Sequence, residues 1–205
     1  VQLRLKPESP QGSKWNGIRW TDSTHISRLT SVDFSHSDGS GISCEIQRSE
    51  VIMAQVRWLN TTRKAVELQD ASARFSFCEF PDVVNDETVH GQGLPDDGYL
   101  IFNNNVFGYA SGYSDVIDFT GGKRPGPILQ IWNNTFMGGA DDGLDLDGTD
   151  AHVEGNYFQN FIKNNDSASS ANAIATDLGS VIVAANNTFY NNDHDVLLKN
   201  GAELI

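Results

Sequence analysis

Acidic side chains crowd one stretch of this chain. Between Asp115 and Asp195 there are 11 aspartates against three lysines or arginines. The central pieces are Asp115-Val-Ile-Asp118, Asp141-Asp-Gly-Leu-Asp-Leu-Asp147 and Asp150. Carboxylates stacked about 5 Å apart cannot all stay ionised unaided: one pKa rises, a lysine pairs with them, or a cation lies among them. Several hard oxygen donors are what Ca²⁺ accepts, at about 2.3–2.6 Å and with roughly six to eight ligands. A Ca²⁺ site drawing on Asp118, Asp145 and Asp147 is therefore expected, with Asp177 or Asp142 as further ligands. A solvated acidic ladder and a proton-sharing pair are the other two readings. The spacing is not that of an EF-hand, because Asp141 to Asp147 has neither the loop length nor the closing glutamate. Zinc is not expected, since no two-His or Cys-His pattern occurs. His152 and His194 flank the acidic residues without a partner pattern.

The elements that carry these residues show in the repeats. Asn occurs 18 times, and Asn105-Val-Phe107, Asn134-Thr-Phe136, Asn156-Tyr-Phe158 and Asn187-Thr-Phe189 recur in one frame. Their Phe-to-Phe spacings are 29, 22 and 31 residues. Between them lie short alternating apolar runs such as Ile128–Ile131, Gly143–Leu146 and Ser180–Val183, punctuated by Gly and Asn. That is strand patterning, and no segment has a helical period. Repeats of this length made of strands and turns predict a solenoid whose coils pair in parallel about 4.8 Å apart. Asn suits its corners, because it tolerates the left-handed backbone and its amide can bond its copy in the next coil. The Phe two residues later is expected to stack inside. In the first half, Trp15–Trp20, Leu29–Phe34, Gly41–Cys44, Ala65–Leu68 and Phe75–Phe80 read as looser coil strands. The expected fold is all-β, a right-handed parallel β-helix of roughly seven to eight coils. Pro81–Gly98, with five acidic residues, reads as a loop or a local cap.

Register follows from the apolar residues. Ile117 with Phe119, Leu144 with Leu146, Ile174 with Thr176 and Val196 with Leu198 are taken as inward. Asp118 and Asp145 then face out one above the other, Asp177 lies beside Asp147, and Lys199 lies beside Asp177. A slip of one residue would bury the lysine. Of the four tryptophans, Trp132 adjoins the corner residue Asn133, where an exposed ring could stack on a sugar.

Composition narrows the partners. The 205 residues make one domain, 1–205, with a net charge of −13. That balance argues against nucleic acid or an anionic membrane, both of which need a basic face. No apolar run approaches the roughly 18 residues of a membrane span. Val1 in place of Met reads as a mature form or an excised domain, and a last strand at Asp193–Lys199 without a cap leads us to expect a neighbouring domain of a longer chain. Cys44 and Cys78 allow one bridge or two buried thiols.

From about Trp15 onward the chain resembles the pectate-lyase-like right-handed parallel β-helix superfamily. Lys14-Trp-Asn-Gly-Ile-Arg19 is similar to the first coil of secreted β-helix proteins. Asp141–Gly148 and Glu154-Gly-Asn-Tyr-Phe158 resemble repeat domains of large bacterial surface proteins. The resemblance implies an extracellular, cell-surface or periplasmic protein and a polysaccharide partner. In a lyase of this fold, Ca²⁺ neutralises a uronate carboxylate while Lys or Arg removes the adjacent proton. Lys199 is then the candidate base, with Lys123 and Arg124 in the Gly121–Pro127 insertion as alternatives. Ser114–Asp118 followed by Ala140–Leu146 is similar to the two Asp motifs of polygalacturonases, which would make Asp115, Asp141 and Asp142 catalytic. The later Gly-His-Gly and Arg-Ile-Lys motifs of that family are absent. The competing class is a non-catalytic structural or adhesive module, with calcium stapling its coils.

Overall fold

A computed structural model describes residues 3–8, 13–164 and 170–205. The chain winds as a right-handed parallel β-helix of about seven turns. Among the described residues there is no helix, and so none long and apolar enough to cross a membrane.

Two faces are eight-stranded parallel sheets. Sheet 1 stacks Ile18–Thr21, Ile42–Gln47, Lys64–Gln69, Val89–Gln92, Ile117–Thr120, Leu144–Asp147, Asn172–Asp177 and His194–Leu198. Sheet 2 runs from Ser27–Thr30 through Glu50–Ala54, Ser72–Ser76, Leu100–Asn103, Leu129–Trp132, Ala151–Glu154 and Val181–Ala185 to Glu203–Leu204. Sheet 3, the narrow third face, holds Leu3–Leu5, Val32–Ser35 and Arg57–Leu59. It continues across a bridge at Glu79 into Val106–Phe107, Thr135–Phe136, Tyr157–Gln159 and Thr188–Tyr190.

The pairings expected from the apolar residues are present. Ile117 pairs with Leu144 and Asp118 with Asp145; Leu144 pairs with Ile174, and Asp147 with Asp177; Ile174 pairs with Val196, and Thr176 with Leu198. Inside, one aromatic column runs Trp15, Phe34, Trp58, Phe80, Phe107, Phe136, Phe158, Phe189, with ring centroids 4.4–6.0 Å apart and planes nearly parallel. Each such contact contributes about 0.5–1.5 kcal/mol beyond burial.

Corners divide two tasks between neighbouring residues. Ser31, Gln55, Phe77, Asn104, Asn133, Gly155 and Asn186 turn sheet 2 into sheet 3 with φ of 54–68°. In the last four of these coils the next residue, Asn105, Asn134, Asn156 or Asn187, supplies a ladder. Asn105 Nδ2 donates to Asn134 Oδ1 (2.9 Å), Asn134 to Asn156 (3.0 Å) and Asn156 to Asn187 (3.0 Å). Each amide also donates to a strand carbonyl, as Asn134 does to Phe102 O at 3.0 Å. Cys78 occupies the rung below, its thiol donating to Met53 O. Cys44 and Cys78 are buried and free, not bridged.

Three expectations change. Pro81–Gly98 is a working coil, because it contains Val83–Val84 on the rim and Val89–Gln92 inside sheet 1. Winding starts before Trp15, since Leu3–Leu5 already pairs with Val32–Phe34. The runs Leu29–Phe34 and Phe75–Phe80 each contain a corner rather than one strand, so Phe77 is 60% exposed while Phe75 and Phe80 are buried.

Candidate functional site

Strands of sheet 1 open with two consecutive inward residues. In Ile42–Gln47 and Lys64–Gln69 the first and fourth positions are half-buried and the two between are buried. Val116 and Ile117 follow the same pattern, both fully buried. Residues three apart therefore stand on the outside together, and two parallel columns rise along the solenoid. One carries Lys64, Glu87, Asp115, Asp142 and Asn172; the other carries Glu67, His90, Asp118 and Asp145, adjacent by strand pairing. They wall a cleft of about 350 Å³ lined by Glu87, Tyr113, Asp115, Asp118, Asp141, Asp142, Asp145, Ser170, Asn172, Leu197 and Lys199.

Within the first column Asp115 and Asp142 stitch to the coil above. The Asp142 N–H donates to Asp115 Oδ1 at 3.0 Å. Asn172 donates its N–H (3.0 Å) and its Nδ2 (2.6 Å) to Asp142 Oδ1. Asp141 is 9% exposed, and among the described residues its carboxylate has no hydrogen bond. Oxygens of Asp115, Asp141 and Asp142, one from each, lie within 4.8 Å of one another. Asp145 keeps a buried Oδ1 without a hydrogen-bond partner.

The electrostatics follow from that crowding. Burial pushes Asp141 up to about 6 and Asp145 up to about 7, the latter with help from Asp147, Asp142 and Asp118. Burial also raises Asp142 to about 6, against the hydrogen bonds from Asn172. Asp115 rises well above the usual carboxylate range through burial and then the charges of Asp142, Asp145 and Asp141. Asp118 is raised chiefly by burial. Below this cluster, His90 Nδ1 lies 2.8 Å from Glu67 Oε1 and its Nε2 3.7 Å from Asp118 Oδ2. The Glu67 hydrogen bond raises the imidazole above its ordinary value.

Of the expected metal ligands, the cleft gathers Asp118, Asp145 and Asp142. Asp147 and Asp177 lie in the next outward column and do not line it. Hydrogen bonds from the Leu178 N–H and the Asn200 side chain, at 2.6 and 2.9 Å, hold the Asp177 carboxyl low, and the charge of Lys199, which stands beside it in register, helps. Lys199 also lines the cleft, where its charge pulls against the raised pKa values of Asp141, Asp142 and Asp145. Lys123 donates to Leu178 O and Gly179 O (3.0 and 3.2 Å). Arg124 donates to Val181 O and pairs with Asp150 at 3.2 Å. Both clamp coils together at the other end of the strands and do not reach the cleft. Asp115, Asp141 and Asp142, the residues of the polygalacturonase-like motifs, meet. His152 belongs to sheet 2 beside Trp132, not to the acidic face. Glu87, Tyr113 and Asn172 were not anticipated. The repeated three-residue spacing of Glu87/His90, Asp115/Asp118 and Asp142/Asp145 is the signal that would have found the first and the last.

No protein-family model matches the chain, and no curated protein matches it. Among solved structures the chain is similar to QnrB1, a plasmid-mediated fluoroquinolone resistance protein, at 12% identity and a TM-score of 0.35 over 100% of this chain and 92% of that one. A likeness that distant bears on no function.

Proposed function

We propose that the cleft binds a carboxylate-bearing polysaccharide together with a divalent cation, Ca²⁺ by its donor chemistry, on an extracellular, cell-surface or periplasmic protein. The observation that carries this reading is the meeting of Asp115, Asp141 and Asp142 oxygens within 4.8 Å. The donors fit a hard cation: all are oxygens, Asp141 has no competing hydrogen bond, and Asp145 adds an orphaned buried oxygen. Ca²⁺ supplies neutralisation of a uronate carboxylate and acidification of its neighbouring C–H. Asp115 and Asp142 hold the wall rigid through their bonds to successive coils. Lys199 faces the same space and is the base in a lyase reading. In its neutral amine form it would take the proton beside the carboxylate as the glycosidic C–O bond breaks and a carbon–carbon double bond forms, with the departing oxygen protonated by water. The resemblance to pectate-lyase-like β-helices supports this assignment.

A second reading rests on a different observation. Burial raises Asp141 and Asp142 alike to about 6, so one proton shared between them would leave one as acid and the other as base for glycoside hydrolysis. Incubation with polygalacturonate, alginate and neutral glucans, each with Ca²⁺ or with chelator, separates these. Ca²⁺-dependent unsaturated ends are expected, lost in Lys199→Ala and in Asp141→Asn. Reducing ends without unsaturation would replace the lyase by a hydrolase. A protein that cleaves no polymer, but whose melting temperature Ca²⁺ raises, would be a binding or structural module. Identical melts with Ca²⁺ and chelator would remove the cation.

A further inference from the structure

The edge between sheets 2 and 3 carries a second set of features that the acidic cleft does not use. Its turning column is Ser31, Gln55, Phe77, Asn104, Asn133, Gly155 and Asn186, all with positive φ. Small, amide or flexible side chains suit that backbone, whereas a bulky aromatic is an outlier there. Phe77 holds φ of 56° and is 60% exposed, so its ring gains nothing from the core. Around it Gln55, Arg57 and Glu79 line an open cleft of about 400 Å³.

Two coils further along the same edge stands Trp132, reached through Ser76, Asn103 and Trp132 in strand register. Its indole Nε1 is buried and has no hydrogen-bond partner, a state that buried donors rarely keep without a ligand or water. Asn133, His152, Glu154, Gly155 and Asn186 complete a cleft of about 450 Å³. Gly155 leaves it open, because a Cβ there would collide with the Asn133 amide. The arginine of this edge is already answered, because Arg57 binds both oxygens of Asp33 (2.8 and 3.0 Å); His152 lies 3.1 Å from Glu154, and Glu79 stands exposed in the first cleft.

We infer that this edge is a second carbohydrate-binding track, separate from the acidic cleft, which takes a neutral linear polysaccharide lying along the solenoid axis, with Phe77 and Trp132 as stacking platforms. Two rungs set the platforms about 10 Å apart along that axis, and one rung is comparable to one pyranose unit of an extended glycan. Pyranose rings present C–H faces to aromatic rings and hydroxyls at their rims. Asn103, Asn104 and Asn133 offer both donors and acceptors between the platforms. A ligand without charge suits a surface whose arginine is committed to Asp33 and whose remaining charges, Glu79 and Glu154, are acidic, whereas an acidic polymer suits the cation-dependent cleft.

The test is native affinity electrophoresis through gels containing hydroxyethyl cellulose, xyloglucan or galactomannan, with polygalacturonate as the acidic comparison. At least one neutral polymer is expected to retard the protein with or without chelator. Phe77→Asn, which places in the column the residue found at three of its other positions, should weaken retardation at least fivefold with an unchanged or higher melting temperature. Trp132→Asn should weaken it at least as much, and Asp142→Asn should not change it. Failure of every neutral polymer to retard the protein overturns the proposal, as does wild-type retardation of either aromatic variant. Loss of retardation in Asp142→Asn would place the glycan in the acidic cleft and overturn it as well. Because the acidic cleft is tested by cation and cleavage, either site can fail without the other.

Discussion

Replacing Asp141 with asparagine removes one charge from the cleft while keeping the side chain's shape. The carboxylate makes no hydrogen bond among the described residues, so none is lost. Holding that carboxyl at about 6 rather than 3.8 means the folded state disfavours its ionised form by about 3 kcal/mol, at about 1.4 kcal/mol per pH unit. Asp142 and Asp145 share the crowding, so the measured gain is bounded by that figure and not additive with theirs. The sign follows from linkage. A carboxyl raised by folding favours the folded state fully below its unfolded value near 3.8, and that contribution is lost as pH rises through about 6. Asp141→Asn should therefore stabilise the protein at pH 7.5 without divalent cations, by up to about 3 kcal/mol, and the gain should vanish at pH 3.5. Urea unfolding with chelator at the two pH values measures it directly. With Ca²⁺ at a hundred times its dissociation constant the wild type should recover about 2.7 kcal/mol, while the variant recovers far less. A variant less stable than wild type at pH 7.5, or a gain that is the same at both pH values, would refute the account of Asp141 as an unpaired buried charge.

Two further predictions concern the Asn ladder and the foot of the acidic face. Asn134→Asp removes the donations to Phe102 O and Asn156 Oδ1 and buries an acid at 1% exposure; a loss of about 3–5 kcal/mol at neutral pH is expected. The introduced carboxyl would be raised by folding, so urea unfolding should show the loss shrinking as pH falls. A pH-independent loss would mean that the ladder matters only as packing. The His90 imidazole, raised chiefly by its hydrogen bond to Glu67, should titrate above 6.5 in NMR and drop in Glu67→Gln. The stability from this pair is present below the unfolded value near 6.5 and is lost as pH rises through the folded one. A titration unmoved by Glu67→Gln would break the link between them.

The pairing of Asp118 with Asp145, and of Asp147 with Asp177, was legible because one inward set, Ile117, Leu144, Ile174 and Val196, admits a single register without burying charge. The cleft itself was not, and the reason is local. Strict alternation backward from Ile117 turns Val116 outward and Asp115 inward. The strands of sheet 1 instead begin with two inward residues, which brings Asp115 and Asp142 out beside Asp118 and Asp145. Phe77 was misplaced by the same rule, since alternation from Phe75 puts it inside and the left-handed corner turns it out. Corners at Asn104, Asn133 and Asn186 carry a residue that advertises the turn. Those at Gln55, Arg48, Phe77 and Leu178 do not, because neighbouring coils impose the conformation there.

The aromatic column and the Asn ladder continue past coils whose lengths differ, with spacings of 29, 22 and 31 residues between successive inward phenylalanines. The extra residues are absorbed outside the strands, as in the Gly121–Pro127 bend that Lys123 and Arg124 fasten down. Inheritance can therefore edit this protein in units of a single turn. A duplicated turn would lengthen either face by one step and leave the interior matched above and below. An exchange at an outward position would rewrite one station without touching the scaffold. The length of each face is set by how many turns the gene encodes, and its chemistry by which residues stand at each.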